Sequence, residues 1–300
     1  CDSDVLDVRA HKLSSRINES MLKQRIITAL VLGPLVIWSV LSFPHPAIAI
    51  EMAVILCIGA WEWARLSGIT SQIGRVGFAL FNGGVFAGIA VLMHYDQSFL
   101  IPALYLAGIF WLFAFVMVIY FNREKITPLN NTSSLIKIFT LIFGSGILAG
   151  SFLSIVALHR DASYGSIYIL ALLILIWAAD SCAYFAGKAF GKHKLAVNVS
   201  PGKSWEGVIG GLAGTIIAAY LFSLYLDISA TNILKFIFIA LITIGFSIVG
   251  DLTESLFKRR AGIKDSSQIL PGHGGIMDRI DSLVAAAPIF ILGLIILGVK

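Results

Sequence analysis

The chain has 300 residues, of which 58% are hydrophobic and 13% are charged. Soluble domains carry about a quarter charged residues, so this composition excludes an ordinary soluble protein and predicts a polytopic integral membrane protein. Its apolar runs show no two-residue alternation, which excludes a β-barrel and predicts an all-α fold. The formal net charge is +5, but no basic stripe with interleaved aromatic residues occurs, which argues against a nucleic-acid partner.

The first twenty residues differ from the rest of the chain. Residues 1–20 are polar, partly acidic and without helical apolar periodicity. We predict a disordered N-terminal extension there, or a stretch that precedes a start at Met21. Residues 21–300 show no internal repeat and are predicted to form one membrane-embedded domain.

Nine apolar windows are long enough to cross a bilayer as helices. They fall at roughly 26–43, 46–64, 76–94, 99–121, 135–158, 166–186, 206–226, 232–250 and 282–299. Pro34, Pro44 and Pro46 crowd the first two windows and favour a kinked or re-entrant hairpin there.

The basic residues are distributed unevenly between the two sides that these windows define. The N-terminus and the gaps after windows two, four, six and eight hold 19 of the 22 lysines and arginines. The exceptions are Arg160, Lys235 and Lys300. Because cytoplasmic segments are enriched in lysine and arginine, this pattern predicts that the N-terminus and the long polar loops lie in the cytoplasm.

Two of these cytoplasmic segments, residues 179–207 and 249–282, concentrate the polar residues. Asp251 and Glu254 are three apart at the exit of window eight, and Asp278 and Asp281 are three apart at the entry of window nine. Residues three apart share a helix face, so two antiparallel neighbours could present these carboxylates to one another. Hard oxygen donors of this kind favour Mg²⁺. Salt bridges to nearby arginines and lysines are the alternative, and the spacing alone leaves both open.

Cations and glycines accompany the acidic residues. Lys258, Arg259, Arg260 and Lys264 precede "PGHGG", where Gly272, Gly274 and Gly275 would let backbone N–H groups converge on an anion. The stretch "SPGKSWEG" also combines glycine with a cation. Ser200 and Lys203 lie beside a Pro-Gly turn there, and a helix is predicted to start at Ser204. The combination predicts a site for a magnesium-bound polyphosphate. His273 is a candidate general base or a candidate hydrogen-bond donor to a phosphate group. The alternative is that it is simply a hydrogen-bonding loop residue.

The segment "SLFKRRAGIKDSSQILPGHGGIMDRID", residues 255–281, resembles the signature of the phosphatidate cytidylyltransferase family, also called CDP-diacylglycerol synthases. The matching positions are Ser255, Lys258, Arg259, Lys264, Asp265, His273, Gly274, Gly275, Asp278, Arg279 and Asp281. "DSCAYFAGKAFGKHKL" and "VSPGKSWEG" resemble a second loop of that family, and the similarity runs from Met21 to the end. Cys182, Val197 and Ser204 depart from the usual residues, and none removes a presumed ligand.

The resemblance implies transfer of the cytidylyl group of CTP to phosphatidate with Mg²⁺ as cofactor and a potassium ion beside it. It further implies a polytopic helical fold, for which the windows predict about nine transmembrane helices, a homodimer in the bacterial inner membrane, and a polar cavity facing the cytoplasm. On this basis Asp251 and Asp278 are the expected metal ligands, and we assign Asp281 and Asp180 as auxiliary ligands. The expected phosphate-binding and catalytic residues are Lys203, Lys258, Arg259, Lys264 and His273. The expected substrate-binding residues are Ser200, Ser204, Asp265, Gly274, Gly275 and Arg279.

Two other functions are alternatives to this expectation. A transporter of an anionic metabolite would place charges near mid-span and show inverted repeats, whereas here the charges crowd one side. A CTP-dependent lipid kinase would use the same substrates but transfer the γ-phosphate instead of the cytidylyl group.

Overall fold

The computed structural model describes residues 28, 30–96, 98–123, 128, 132–161, 164–270, 272 and 274–299. The predicted N-terminal extension, residues 1–20, and His273 lie outside these described residues. The helices of the described chain are α1 (Leu30–Ser42), α2 (His45–Leu66), α3 (Gln72–Tyr95), α4 (Leu100–Arg123), α5 (Ser134–His159), α6 (Gly165–Phe190), α7 (Trp205–Tyr225), α8 (Ala230–Ala261) and α9 (Met277–Leu297). Two short strands, β1 (Lys194–Ala196) and β2 (Ser200–Ser204), pair antiparallel between α6 and α7.

The predicted all-α membrane architecture is confirmed. Eight helices, α2 to α9, are long and apolar enough to cross a bilayer, while α1 is described over a shorter length. The break between α1 and α2 falls at Pro44, which caps α2 with an extended backbone because proline cannot supply the N–H that a continuous helix needs. The described residues therefore contain eight helices of full membrane-spanning length where the sequence predicted nine spans.

Two helix boundaries differ from the sequence prediction, and both differences bear on the site. Helix α8 continues past the predicted end near 250 to Ala261, where Gly262 adopts a left-handed conformation (φ 69°) that ends the helix. Helix α9 begins at Met277, not near 282. Both acidic pairs therefore lie on helices and not in a loop.

Close packing of α8 against α9 fixes the relation between these two pairs. A side chain on Gly250 of α8 would collide with the backbone oxygen of Asp281 and lie 2.7 Å from Ala285 Cβ of α9. Small residues at a helix interface let two backbones approach, which is the usual way that helices associate in a membrane. The predicted antiparallel neighbours are thus direct neighbours, and the carboxylates near Gly250 share one interface.

The core between these helices and the first half of the chain is aromatic. Trp63 of α2 is fully buried and packs on Phe143 of α5 and Phe257 of α8, with ring centroids 6.1 and 4.9 Å away. Its indole N–H donates to the backbone oxygen of Thr140 at 2.9 Å, so the buried polar atom is satisfied. This cluster joins α2 to the helices that carry the acidic pairs.

Helices α2, α4, α6 and α8 all finish with basic residues, and these ends come together. Arg65 at the end of α2 donates to the Ser266 oxygen beyond α8, at 3.3 Å. Asn122 at the end of α4 accepts at its backbone oxygen from Asn198 of the β-hairpin, at 2.8 Å. We call this side of the bundle the basic end.

Candidate active site

A cavity of about 400 Å³ opens at the basic end among α6, α7, α8 and strand β2. Its polar lining includes Asp180, Lys203 and Asp251, and its apolar lining includes Ile244 and Ile248. The two polar segments identified in the sequence, which are separated by two membrane spans, therefore meet at one cavity.

Lys203 and Asp251 form an ion pair across this cavity. The ammonium nitrogen lies 2.5 Å from Asp251 Oδ2, and both side chains remain about one-third accessible. Asp251 Oδ1 accepts a hydrogen bond from Ser255 one turn later, at 3.2 Å. The exposed Asp180 is attracted electrostatically by Lys203 and repelled by Asp251. One lysine thus balances two carboxylates of the cavity wall.

Lys258 forms the second ionic centre. Its ammonium nitrogen lies 2.7 Å from Glu254 Oε2 on the same helix and 2.6 Å from Asp278 Oδ1 on α9. Glu254 is almost completely buried, and its second oxygen has no hydrogen-bond partner in the described part of the chain. Asp281 repels Glu254 electrostatically. The three acidic side chains outnumber Lys258, so the α8–α9 interface gathers several hard oxygen atoms around one ammonium group.

Both oxygens of Asp278 are occupied by protein donors. Oδ1 accepts from Lys258, and Oδ2 accepts from the backbone N–H of Ser266 at 3.0 Å and of Gly275 at 2.7 Å. The Ser266 hydroxyl also lies 3.0 Å from Oδ2. Asp278 therefore ties the first turn of α9 both to α8 and to the α8–α9 loop, residues 262–276.

Glu62, near the end of α2, supports the same loop from the opposite side. It is fully buried, and its carboxylate accepts from the hydroxyls of Ser266 (2.9 Å) and Ser267 (2.5 Å). It also accepts from the backbone N–H groups of Ile276 (3.0 Å) and Met277 (2.6 Å), at the start of α9. Four donors surround one carboxylate, which is the condition under which a buried charge is tolerated.

The glycines of the loop allow this close approach. Gly274 has a left-handed backbone (φ 83°), and a side chain on it would lie 2.7 Å from Asp278 Oδ2. A side chain on Gly275 would collide with Ser266 Oγ and with Glu62. Their N–H groups donate inward, Gly274 to the Leu270 oxygen at 3.1 Å and Gly275 to Asp278. The anion binding predicted for these two N–H groups remains a prediction, because in the structure both donate to protein oxygens.

The β-hairpin positions the other predicted binding residues. Ser204 caps α7 as expected, because its hydroxyl accepts from the Gly207 N–H at 3.2 Å. Ser200 begins β2 and is half-buried. His193 Nδ1 lies 2.7 Å from Glu206 Oε1 in the first turn of α7, which holds the hairpin against the helix. The hairpin thereby holds Lys203 at the cavity.

The remaining predicted cations and Asp265 face outward. Arg259, Lys264, Asp265 and Arg279 are exposed. The Arg259 guanidinium points toward the Val199 oxygen of the hairpin at 3.5 Å. None of these four residues is among those that line the cavity, so their phosphate-binding roles stay predictions.

The described residues contain no group of three or more His, Cys, Asp or Glu side chains arranged to hold a metal ion. Mg²⁺ commonly binds through one or two carboxylates plus substrate phosphates, and the donors gathered here are hard oxygens. Asp180 and Asp251 fit that requirement best, because both line the cavity. The predicted magnesium and potassium ions stay predictions.

Sequence reasoning missed the residues that support the site. Glu62, Ser266 and Ser267 did not figure among the predicted site residues, and Glu254 was noted only for its spacing from Asp251. The signal for Glu62 was a carboxylate inside an apolar window, since an acidic residue within a membrane span is costly and usually has a role.

Comparisons with known proteins agree with this organisation. A model of the cytidylyltransferase family matches residues 23–297. The phosphatidate cytidylyltransferase of Pseudomonas aeruginosa is 43% identical over 273 residues, covering 90% of this chain and 96% of that protein. The phosphatidate cytidylyltransferase of Haemophilus influenzae is 39% identical over 287 residues, covering 90% and 97%. That of Brucella suis is 33% identical over 279 residues, covering 91% and 93%.

Proposed function

The chain belongs to the cytidylyltransferase family, and we infer that it transfers the cytidylyl group of CTP to phosphatidate, giving CDP-diacylglycerol and diphosphate for phospholipid biosynthesis. The observation that carries this inference is similarity along nearly the whole chain to relatives that bear this activity in their names. The gathering of two distant polar segments at one cavity supports it.

The chemistry explains why the site needs positive charge beside its carboxylates. A phosphate oxygen of phosphatidate attacks the α-phosphorus of CTP, a new P–O bond forms, and the bond to the departing diphosphate breaks. The attacking oxygen is already anionic at neutral pH, so no strong general base is required. The barrier is the approach of two highly negative molecules, and catalysis rests on neutralising charge and aligning the reactants.

Lys203 and Lys258 are the residues to which we assign this neutralisation. Each ammonium group lies beside a carboxylate: Lys203 is 2.5 Å from Asp251, and Lys258 is 2.6 Å from Asp278. An arriving phosphate competes for the same ammonium groups. The exposed Arg259, Lys264 and Arg279 extend the positive charge outward and attract CTP to the cavity.

Mg²⁺ is the cofactor that we propose, because the donors are carboxylate oxygens in a region where acidic groups outnumber lysines. Asp180 and Asp251 would hold it, with Asp281 within electrostatic reach of Asp251 and Asp278 contributing once it leaves Lys258. When bound, the ion would supply positive charge to the phosphates of CTP.

The membrane setting follows from the two substrates. Phosphatidate keeps its acyl chains in the bilayer, and CTP is soluble in the cytosol. A cavity with Ile244 and Ile248 beside Lys203 offers an apolar wall next to a charged one. We propose that the basic end faces the cytoplasm, in the inner membrane, as the one-sided distribution of lysine and arginine suggests.

Cysteine labelling tests this orientation. In a chain whose own cysteines are replaced by serine, Gln268→Cys at the basic end and Thr231→Cys at the opposite end both place the thiol at an exposed position. A membrane-impermeant maleimide should label the Thr231 variant on intact cells and the Gln268 variant only after lysis. The reverse pattern would overturn the orientation.

Radiolabelled CTP tests the activity and separates it from that of a lipid kinase. CTP labelled at the α-phosphorus should label the lipid product in purified membranes supplied with phosphatidate, and γ-labelled CTP should not. Labelling from the γ-position alone would indicate phosphoryl transfer to lipid. Chelation of Mg²⁺ should abolish the α-label if the proposed cofactor is correct.

We also propose that the protein is a homodimer. The measurement that tests this is the molecular mass of the purified protein in solution.

A further inference from the structure

Glu62 is a buried carboxylate that contacts the α8–α9 loop more than 200 residues away in the chain. Its Oε1 accepts from Ser267 Oγ and the Ile276 N–H, and its Oε2 accepts from Ser266 Oγ and the Met277 N–H. Among the described residues, no side chain of the helix itself caps α9 at its N-cap position, Ile276. Glu62 therefore supplies from another helix the negative charge and the acceptors that a helix N-terminus requires.

A direct path leads from Glu62 to the proposed catalytic carboxylate. Ser266 is fully buried, and its hydroxyl oxygen lies 2.9 Å from Glu62 Oε2 and 3.0 Å from Asp278 Oδ2. A hydroxyl has one proton to donate, so Ser266 can donate to only one of these carboxylates at a time. The Ser266 backbone N–H remains bonded to Asp278 in either case, at 3.0 Å.

We propose that Glu62 is a positioning residue for the cytidylyl-transfer reaction: it fixes the α8–α9 loop and the start of α9, and through Ser266 it sets the position of Asp278. This inference rests on the proposed function. When Asp278 leaves Lys258 to meet substrate or metal, the Ser266 hydroxyl can turn fully to Glu62. The loop then keeps its anchor while Asp278 moves.

Glutamine at position 62 cannot replace the carboxylate. Each oxygen of Glu62 accepts one hydroxyl and one backbone N–H. Whichever way the amide is turned, its NH₂ group faces a backbone N–H of Ile276 or Met277, where donor meets donor. Glu62→Gln therefore breaks at least one bond at the start of α9 while keeping nearly the same side-chain volume.

The test compares Glu62→Gln with Glu51→Gln, a matched change on the same helix about 16 Å away along its axis. Activity is measured with α-labelled CTP and phosphatidate, and amide hydrogen exchange is followed in peptides covering Ser266 to Met277. We expect kcat of folded Glu62→Gln to fall about 10- to 100-fold, as with other residues that orient reactive groups, with KM for CTP changed much less. Exchange in those peptides should accelerate. Glu51→Gln should leave both unchanged.

A double variant distinguishes positioning from general support of the fold. If Glu62 acts on Asp278 through Ser266, the losses in kcat from Glu62→Gln and Ser266→Ala should not multiply when the two are combined. Multiplying losses would overturn the path through Ser266. A folded Glu62→Gln protein with wild-type kcat would overturn the positioning role itself.

A second substitution tests the same role if the Glu62→Gln variant folds poorly. If Glu62→Gln does not accumulate, Glu62→Asp, which keeps the charge but is one methylene shorter, decides: reduced kcat with faster exchange supports the role, and wild-type kcat opposes it. If the wild-type chain transfers no α-label to lipid, the proposed function fails, and hydrogen exchange still reports whether Glu62 orders the loop. The two failures are therefore distinguishable.

Discussion

The ammonium nitrogen of Lys258 lies 2.6 Å from Asp278 Oδ1 and so joins the last turns of α8 to the first turn of α9. Both side chains are largely buried, with 14% of Lys258 and 7% of Asp278 exposed. Removing one partner of such a pair leaves an uncompensated charge, so each residue depends strongly on the other.

Replacing Asp278 with asparagine should reduce cytidylyl transfer by at least about 10²-fold, the usual cost of removing one group that stabilises a transition state. The amide would present its NH₂ either to Lys258 or to the Gly275 N–H, both of which are donors. The assay is turnover of CTP in purified membranes at matched expression. Asp227→Asn is the control, because its left-handed backbone (φ 52°) tolerates asparagine and Asp227 follows α7, at the opposite end from the cavity. Full activity in the Asp278 variant would remove this residue from the mechanism.

Replacing Lys203 with glutamine should lower kcat/KM for CTP by about 10²-fold, since it removes a charge proposed to meet a phosphate. Asp251 would also lose its partner at 2.5 Å. Lys203→Arg, which keeps the charge, should recover part of the activity. The comparison variant is Lys192→Gln, an exposed lysine in the same segment, which should behave as wild type. Equal losses in the Lys203 and Lys192 variants would point to a general effect of positive charge instead.

The proposed magnesium site predicts a shift in metal requirement. Asp180→Asn and Asp251→Asn should each raise the Mg²⁺ concentration that gives half-maximal activity, because each removes a hard oxygen donor from the cavity wall. The measurement is initial rate against Mg²⁺ concentration after chelation and dialysis. Asp161→Asn, at the opposite end of the bundle, should leave the curve in place. Unchanged metal curves for both cavity variants, at any activity, would contradict the assignment.

The α8–α9 interface predicts opposite effects for two glycines of the same helix. Gly250→Ala should destabilise the protein by about 1–3 kcal/mol, because the added methyl would collide with α9 at the Asp281 backbone oxygen. Gly245→Ala should stabilise it by up to about 1 kcal/mol, since no atom of the described chain lies within 4 Å of the added methyl and alanine favours a helix. Thermal unfolding in detergent measures both. Equal melting temperatures would show that α8 and α9 are less tightly packed than described.

Hydropathy predicted the membrane helices well because burial in lipid imposes one strong requirement on every span. It failed at the end of α8, because the apolar window stops near residue 250, before Glu254 and Lys258, although the helix continues to Ala261. Charged residues are common in helices outside the hydrocarbon, so polarity alone cannot show where a helix ends. Gly262 was the better signal.

The partners of the site residues could be predicted less well than the residues themselves. The pairing of Asp251 with Lys203 and of Glu62 with Ser266 joins positions far apart in the chain, and nothing in local spacing specifies it. The i, i+3 spacing correctly predicted that the two acidic pairs lie on neighbouring helices. It could not show that Asp278 would be enclosed by donors of the α8–α9 loop.

Helix α8 has 32 residues and measures about 48 Å, whereas the hydrocarbon core of a bilayer is about 30 Å thick. Glu254 and Lys258 lie in its last turns. Their distance from the hydrocarbon core would therefore depend on the thickness of the surrounding bilayer. A thicker membrane would bring this charged segment closer to the hydrocarbon core, and a thinner one would leave more of it in the aqueous phase. The enzyme that makes a phospholipid precursor would thus respond to the dimensions of the membrane that its products build.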